Sequence, residues 1–434
     1  MGALAPIAAL VFSSLAANAQ TPSDFAGNLN PLYQGILARP SDLNNTLQYA
    51  ANASADDIES AIGTYEQLLF YNPTLSRVRF ELGVLYYRLG SYEMARSYFQ
   101  SALQMRDITP DLRERAEELT EIIDKKLKVD QYTGYVQTGL AYQTNPGAGP
   151  GSQTVLASGR TFNSNFFSQP DWNWFGAFGL NYVHDFETQN GDTFEASAVG
   201  YDAQEFRLHQ FDIGLLDFRA GPRFGIPTGN PNISLSVKPY LVATGALLAD
   251  APYYGGLGGG LTLHTNVGNL ALDPYAEIVQ QSYRNSTFYP LASGLSGTLS
   301  TYGLQASAPV YSSVNFQSRF AFGHASANFA PDSYDVYAAD IWLPWNFSFP
   351  GDGRIWTLTP TAGVSQWLYS APDPAIDPTT TPHTTEWRVG LGLEIPLWRH
   401  IVLGTLVQYR ADQSNVAAFT MHDLSVSAGP TLKF

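Results

Sequence analysis

The sequence predicts an α + membrane β chain: a small helical domain followed by an antiparallel transmembrane β-barrel of about fourteen strands. Three observations predict it. Helical periodicity is confined to residues 40–128 and recurs there after 34 residues. From residue 129 to the end the hydrophobic period is two, as in strands with one apolar and one polar face. No apolar run of about 20 residues follows the N-terminus, so a membrane crossing has to be made by strands closed into a barrel.

The totals agree. The 434 residues are enough for two domains. There is no cysteine, which excludes disulfides, thiol catalysis and thiolate metal sites. Aromatic residues are abundant, with 25 Tyr, 25 Phe and 8 Trp, and charged residues are only 14%. A typical soluble domain has about 25% charged residues. The formal net charge of −15 argues against nucleic acid as a partner, because a phosphate-binding surface needs concentrated Lys and Arg.

Residues 1–19 read as a signal peptide. An apolar stretch, ALAPIAALVFSSLA, precedes the small-residue cleavage pattern Ala17-Asn18-Ala19. The basic n-region is missing, since the first positive charge is Arg39. Residues 20–39 carry Pro22, Gly27, Pro31 and Gly35 among polar residues and read as a linker.

Residues 40–128 form the helical domain. Ala61, Tyr65 and Leu69 recur 34 positions later as Ala95, Phe99 and Leu103. In the second copy Leu82 and Tyr86 share a helix face. Gly83 and Ala95 are small enough for close helix approach, and Phe99 and Ala102 fill the groove beyond. Pro73 ends the preceding helix. Residues 111–127, DLRERAEELTEIIDKKL, form an amphipathic closing helix with Leu112, Ala116, Leu119 and Ile123 in a stripe. Leu82-Gly83, Tyr86, Gly90, Ala95, Phe99 and Ala102 resemble the tetratricopeptide pattern, the first copy only partly. That resemblance implies an interaction scaffold with a small concave surface.

Residues 129–434 divide into alternating segments near 132–143, 172–184, 194–204, 211–222, 233–246, 254–264, 270–281, 298–308, 314–323, 333–343, 355–368, 386–395, 401–411 and 423–434. Each is close to the 9–11 residues that cross a bilayer at a tilt. Trp342, Trp345, Trp356, Trp367 and Trp398 fall near segment ends, as interfacial girdles require. Connections after even-numbered segments are mostly tight. Connections after odd-numbered segments include the three longest, near 144–171, 282–297 and 369–385, which predicts that both barrel termini and the helical domain lie on the periplasmic side. The last segment puts Leu424, Val426, Ala428, Pro430, Leu432 and Phe434 on one face. Gly429, Leu432 and Phe434 resemble the C-terminal signal that barrel-assembly machinery reads.

No catalytic constellation emerges, and the chain reads as a non-enzyme without cofactor. His324-Ala325-Ser326-Ala327-Asn328 holds the residue types of a Ser–His–Asn hydrolase but falls in a predicted loop. The glycines of Gly255–Gly260 fall in a strand with no helix after it, so they form no phosphate cradle. Glu277, Arg319, Arg388, Glu394 and Arg410 form the expected lumen set, lining a pathway or pairing across the interior.

Signal peptide, short tetratricopeptide-like domain and fourteen-stranded barrel together resemble the surface lipoprotein assembly modulator family, the type XI secretion translocons. The stretch GLAYQTNPGAGPG, Gly139 to Gly151, is similar to the Asn-containing opening of that family's barrel. The resemblance implies an outer-membrane translocon in a Gram-negative bacterium. It would export or display a protein or lipoprotein client recruited by periplasmic repeats, and use no cofactor. Membrane lipid and barrel-assembly machinery are the other expected partners. An exopolysaccharide export porin and a non-transporting outer-membrane scaffold share the same architecture.

Overall fold

The computed structural model describes residues 58–150, 156–157, 160–161, 168–230, 232–349 and 353–434. The expected signal peptide, linker and segment 40–57 lie outside the described residues. The chain divides into two compact units, the first ending at Gln131 and the second running from Tyr132 to Phe434.

The helical unit has α1 (Ile58–Tyr71), α2 (Ser76–Arg88), α3 (Tyr92–Leu103) and α4 (Pro110–Lys126). Pro110 opens α4, where its missing N–H costs no hydrogen bond. Two apolar clusters meet on α2. One joins Ala61, Tyr65 and Leu68 of α1 to Val78, Leu82 and Leu85. The other joins Phe80 to Ala95, Phe99 and Ala102 of α3 and to Ala116 and Ile123 of α4. Gly83 is what lets α3 approach: a Cβ there would lie 2.6 Å from Cε1 of Phe99.

The second unit is a closed antiparallel barrel of fourteen strands. They are β1 (Asp130–Gln143), β2 (Asp171–Asp185), β3 (Thr193–Glu205), β4 (Ile213–Ile226), β5 (Ile233–Leu248), β6 (Ala251–Val267), β7 (Leu270–Tyr283), β8 (Gly297–Tyr311), β9 (Val314–Ala327), β10 (Tyr334–Trp342), β11 (Trp356–Tyr369), β12 (His383–Trp398), β13 (Ile401–Ser414) and β14 (Met421–Lys433). Trp345–Phe347 continues the line of β10 beyond Leu343-Pro344 and pairs with β9 and β11. Each strand pairs with its neighbours in sequence, and β1 pairs with β14 to close the sheet. Closure leaves no open edge, the condition for a sheet in lipid.

The two rims differ. At the terminal rim, where β1 begins and β14 ends, three connections are the two-residue turns 268–269, 312–313 and 399–400. The distal rim carries the long connections 144–170, 284–296 and 370–382, and each of the 3₁₀ turns found there. The exception is Ala249-Asp250, a tight distal turn with both residues at positive φ, as a two-residue hairpin of the primed type needs.

Register decides which side chains face where, because paired residues share a face and the face alternates along each strand. The outer face is apolar: Leu241 and Leu257 are more than 70% exposed, and Ile278, Phe320 and Leu391 are also exposed. The inner face holds Asp340, Glu386, Asp412, Ser365 and Thr384, all buried. This inverts the helical unit.

Candidate functional site

The inner face of the barrel concentrates the chain's ionisable side chains into networks laid along its wall. On β9 to β13, Arg319 Nη2 lies 2.6 Å from Asp340 Oδ2, and Arg388 Nη2 lies 2.7 Å from Asp340 Oδ1. Arg388 also pairs with Glu386 on its own strand. Arg410 Nη2 lies 3.1 Å from Glu386 Oε2 and 2.8 Å from Asp412 Oδ2. The Arg388–Asp340 link skips β11. It can do so because the inward residue of β11 at that level is Gly363, whose Cβ would collide with Asp340 Oδ1.

A second network spans β3 to β7. Arg219 Nη1 lies 2.7 Å from Asp217 Oδ1 and its Nε 3.2 Å from Glu277 Oε2. The hydroxyl of Tyr240 donates to Glu277 Oε2 at 3.1 Å. Glu195 accepts from Arg223 at 3.1 Å and from Lys238 at 2.7 Å. Gly260 belongs to the glycine run of β6, and the Tyr240 ring lies where its Cβ would stand. Gly260 therefore leaves room for the Tyr240 side chain that reaches Glu277 from two strands away.

At the terminal rim Lys433 Nζ lies 2.7 Å from Glu394 Oε2. Every lysine and arginine facing inward from a described strand thus has a carboxylate partner. The five residues of the expected lumen set, Glu277, Arg319, Arg388, Glu394 and Arg410, all face inward and all sit in these ion pairs.

Near the distal rim the sector β1 to β4 encloses a group of inward side chains. Ala141, Phe175 and Ala203 form a small buried cluster. Asn145 Nδ2 donates to the carbonyls of Gly149 and His422, its Oδ1 accepts from Gly149 N, and Asp423 Oδ1 accepts from Asn145 N and Thr144 Oγ1. Asp171 accepts backbone N–H bonds from Trp172, Arg207 and Leu208 and pairs with Arg207 Nε at 3.1 Å. Asn173 Nδ2 donates to Glu205 Oε1 at 3.0 Å, and the Glu205 amide donates to Asp212 Oδ1 at 2.6 Å. Sequence reasoning missed this polar knot. The available signal was parity: Asp171, Asn173 and Glu205 all fall on the inward register of their strands.

Further round the barrel the inner face is aromatic. Tyr254 and Tyr283 stack with centroids 5.2 Å apart, and Tyr334 lies 4.9 Å from Trp367 and 5.9 Å from Tyr369. Beside them, in the connection to β10, burial and the neighbouring Asp373 carboxylate push Asp332 up to about 6. Here the girdle expectation fails in part. Trp345, Trp356 and Trp398 face outward at the terminal rim, but Trp342 pairs with Gln317 and Thr361, and Trp367 with Val336 and Thr384, all inward.

The hydrolase-like residues also differ from expectation. Residues 324–327 belong to β9, not to a loop, and His324 points outward to Asp335 Oδ1 at 2.7 Å. Ser326 shares that outward face, and Asn328 lies beyond the strand end. Among the described residues no group of three or more His, Cys, Asp or Glu could hold a metal ion.

The repeat-core residues sit as follows. Leu82, Ala95, Phe99 and Ala102 are fully buried and Gly83 faces Phe99. Tyr86 is half-buried, stacks on Tyr98 at 5.4 Å, and both hydroxyls donate to Glu66 Oε1. Burial and that carboxylate push the Tyr86 hydroxyl up to about 12. In the barrel, Gly429 faces inward and Leu432 outward. Phe434 exchanges two backbone hydrogen bonds of 3.0 Å with Gly134, at the seam that closes the sheet.

No family model matches the chain, and no curated protein matches it. Solved structures similar to it are outer-membrane barrels. The outer membrane protein OpdK from Pseudomonas aeruginosa is 8% identical over 70% of this chain and 98% of its own, with a TM-score of 0.34. An anion-selective porin from Comamonas acidovorans is 11% identical over 70% of this chain and 99% of its own, with a TM-score of 0.33. OmpT of Vibrio cholerae is 8% identical over 71% of this chain and all of its own, with a TM-score of 0.39. The closed strand order, not these likenesses, establishes the barrel.

Proposed function

We propose that this protein is an outer-membrane conduit that exports or displays a protein or lipoprotein client, with the helical unit recruiting that client on the periplasmic side. One observation carries the reading. The barrel turns an apolar face outward and a polar, ion-paired face inward along its length, the arrangement of a wall between lipid and a wet pathway. The helical unit supports the recruiting half: Phe70 is 82% exposed and Tyr71 and Met94 are also exposed, large apolar side chains open to a peptide. The terminal signal supports delivery by barrel-assembly machinery, since Phe434 completes the β1–β14 seam.

A second reading, a conduit for a saccharide polymer, has its own support in the inward Tyr254, Tyr283, Tyr334, Trp367 and Tyr369, because sugar faces pack on aromatic rings. A plugged scaffold is the third.

The experiment is photo-crosslinking in intact envelopes, with the reactive group at Phe70 or Met94 of the full chain, paired with deletion of residues 40–127. The conduit reading expects a secreted polypeptide as adduct and loss of its export on deletion. A glycan adduct supports the second reading. Unchanged export after deletion removes the recruiting role.

A further inference from the structure

We propose that the distal inner rim is a cation-attracting filter, so that the conduit passes cationic and neutral cargo in preference to polyanions. The proposal deepens the conduit reading and rests on it.

It starts from how the inward charges are matched. Each inward Lys and Arg of the described strands is held by one or more carboxylates at 3.2 Å or less. Among the described strands no inward cation is left without a carboxylate. The excess is acidic, and two of the carboxylates without a basic partner among the described residues stand at the distal rim. Glu205 is 4% exposed, and one of its oxygens, Oε2, meets no hydrogen-bond donor. Asp423 accepts only from Thr144 and Asn145.

Geometry ties these groups into one patch. Glu205 touches Asn173, and Asn173 touches Gln143, whose neighbour Thr144 holds Asp423. Asp171 precedes Asn173 by two residues on the same face, and Asp212 accepts from the Glu205 amide. The fields of Asp171, Asp212 and Asp423 all bear on Glu205.

A second observation is independent of the acidic count. Asn173 is 1% exposed, and its carbonyl oxygen Oδ1 also lacks a donor. A buried oxygen without a donor is costly, and a charged one more so. Two such acceptors side by side, buried and in a field already negative, are satisfied by a positive partner, either a proton on the carboxylate or a cation drawn from the pathway. Water alone would satisfy the lone pairs but leave the charge. A low-dielectric wall with one sign of charge focuses its field into the pathway and raises the local concentration of the opposite sign. A polyanion would meet that field with nothing to offset it.

Full-length protein in planar bilayers between unequal KCl solutions tests this. The reversal potential is expected to show K⁺ passing in preference to Cl⁻. The E205Q/D423N double variant is expected to lower that preference several-fold. D202N, which removes an acid from the outer face of β3, is expected to leave it unchanged. Preference for Cl⁻, or a reversal potential that E205Q/D423N does not move, overturns the proposal. Absence of any current counts against the conduit instead, and spermine then tests the rim alone. Spermine is expected to raise the unfolding temperature of the wild type and not of E205Q/D423N. An equal response in both overturns the filter.

Discussion

The helical unit and the barrel spend the same residue types in opposite ways. In the helices Leu82, Leu68 and Phe99 are buried while Glu66, Arg88 and Glu114 lie toward solvent. In the barrel Leu257, Leu391 and Phe320 are exposed while Asp340 and Glu386 are buried. One physical rule covers both: apolar area leaves water by the shortest route available. A four-helix unit in water can only fold it inward. A closed sheet in lipid turns it outward, and its polar side chains must then satisfy one another inside. Both units also use small residues to admit large groups. Gly83 admits the Phe99 ring between helices, and Gly363 admits an ion pair across a strand. What differs is the partner, dispersion in one case and charge in the other.

The largest expected effect breaks the comparison on the helical side. Phe99→Ala opens a cavity in the α2–α3–α4 cluster and should cost about 3–5 kcal/mol, melting the helical unit while the barrel keeps its heat-modifiable mobility on SDS gels. If the barrel falls with it, the units are not independent.

Next is the outer face. Leu257→Arg puts a charge where β6 meets lipid and should cost about 2–4 kcal/mol, read as lower urea resistance in vesicles. The same change at an exposed helical position, Met94→Arg, should be close to neutral. Equal costs at the two sites would erase the distinction between them.

Asp340→Asn sharpens the inner-face claim. It takes the shared carboxylate from Arg319 and Arg388 and should cost about 1.5–3 kcal/mol, the range for hydrogen bonds to charged groups. The loss should shrink in D340N/R388Q, where less charge is left unpaired. Additive losses would mean that the two residues do not act as a pair.

The smallest effect is local. Asp332 has its carboxyl at about 6 in the fold, against about 3.9 in an unfolded chain. Between those values the folded state binds the extra proton, so stability of the 328–333 connection falls as pH rises from about 4 to 6 and is level beyond. Protection of that connection, its exchange rate normalised to the intrinsic rate at the same pH, should be greater at pH 5 than at pH 7, and Asp332→Asn should remove the difference. Protection that does not change with pH would contradict it.

Much of this was legible in the sequence. All fourteen strands fall within a few residues of the alternating segments, because a two-sided environment forces an alternation that few other constraints disturb. Face assignment was legible where a strand runs unbroken, as for Phe320 and Phe322 against Arg319. It failed at Trp342 because Leu343-Pro344 interrupts the strand line, so Trp342 and Trp345 belong to opposite faces although both lie at one rim. Trp367 misled for another reason: nothing in a lone Trp near a strand end says whether it meets lipid headgroups or the lumen. The strand at His324 was read four residues short, since Ala, Ser and His there carry no apolar contrast. The ion-pair partners were beyond reach altogether. Arg388 and Asp340 meet across a third strand, a relation set by register and by a glycine.

The central claim is that the barrel is turned inside out relative to the helices, with apolar side chains in lipid and polar ones in the lumen. The chain has no native cysteine, so single spin labels at Phe320, Ala321 and Phe322 in reconstituted vesicles read it directly. The outward positions 320 and 322 should favour oxygen over a water-soluble nickel relaxer, and the inward position 321 should reverse that preference. Equal accessibility at the three positions, or the opposite alternation, would contradict it.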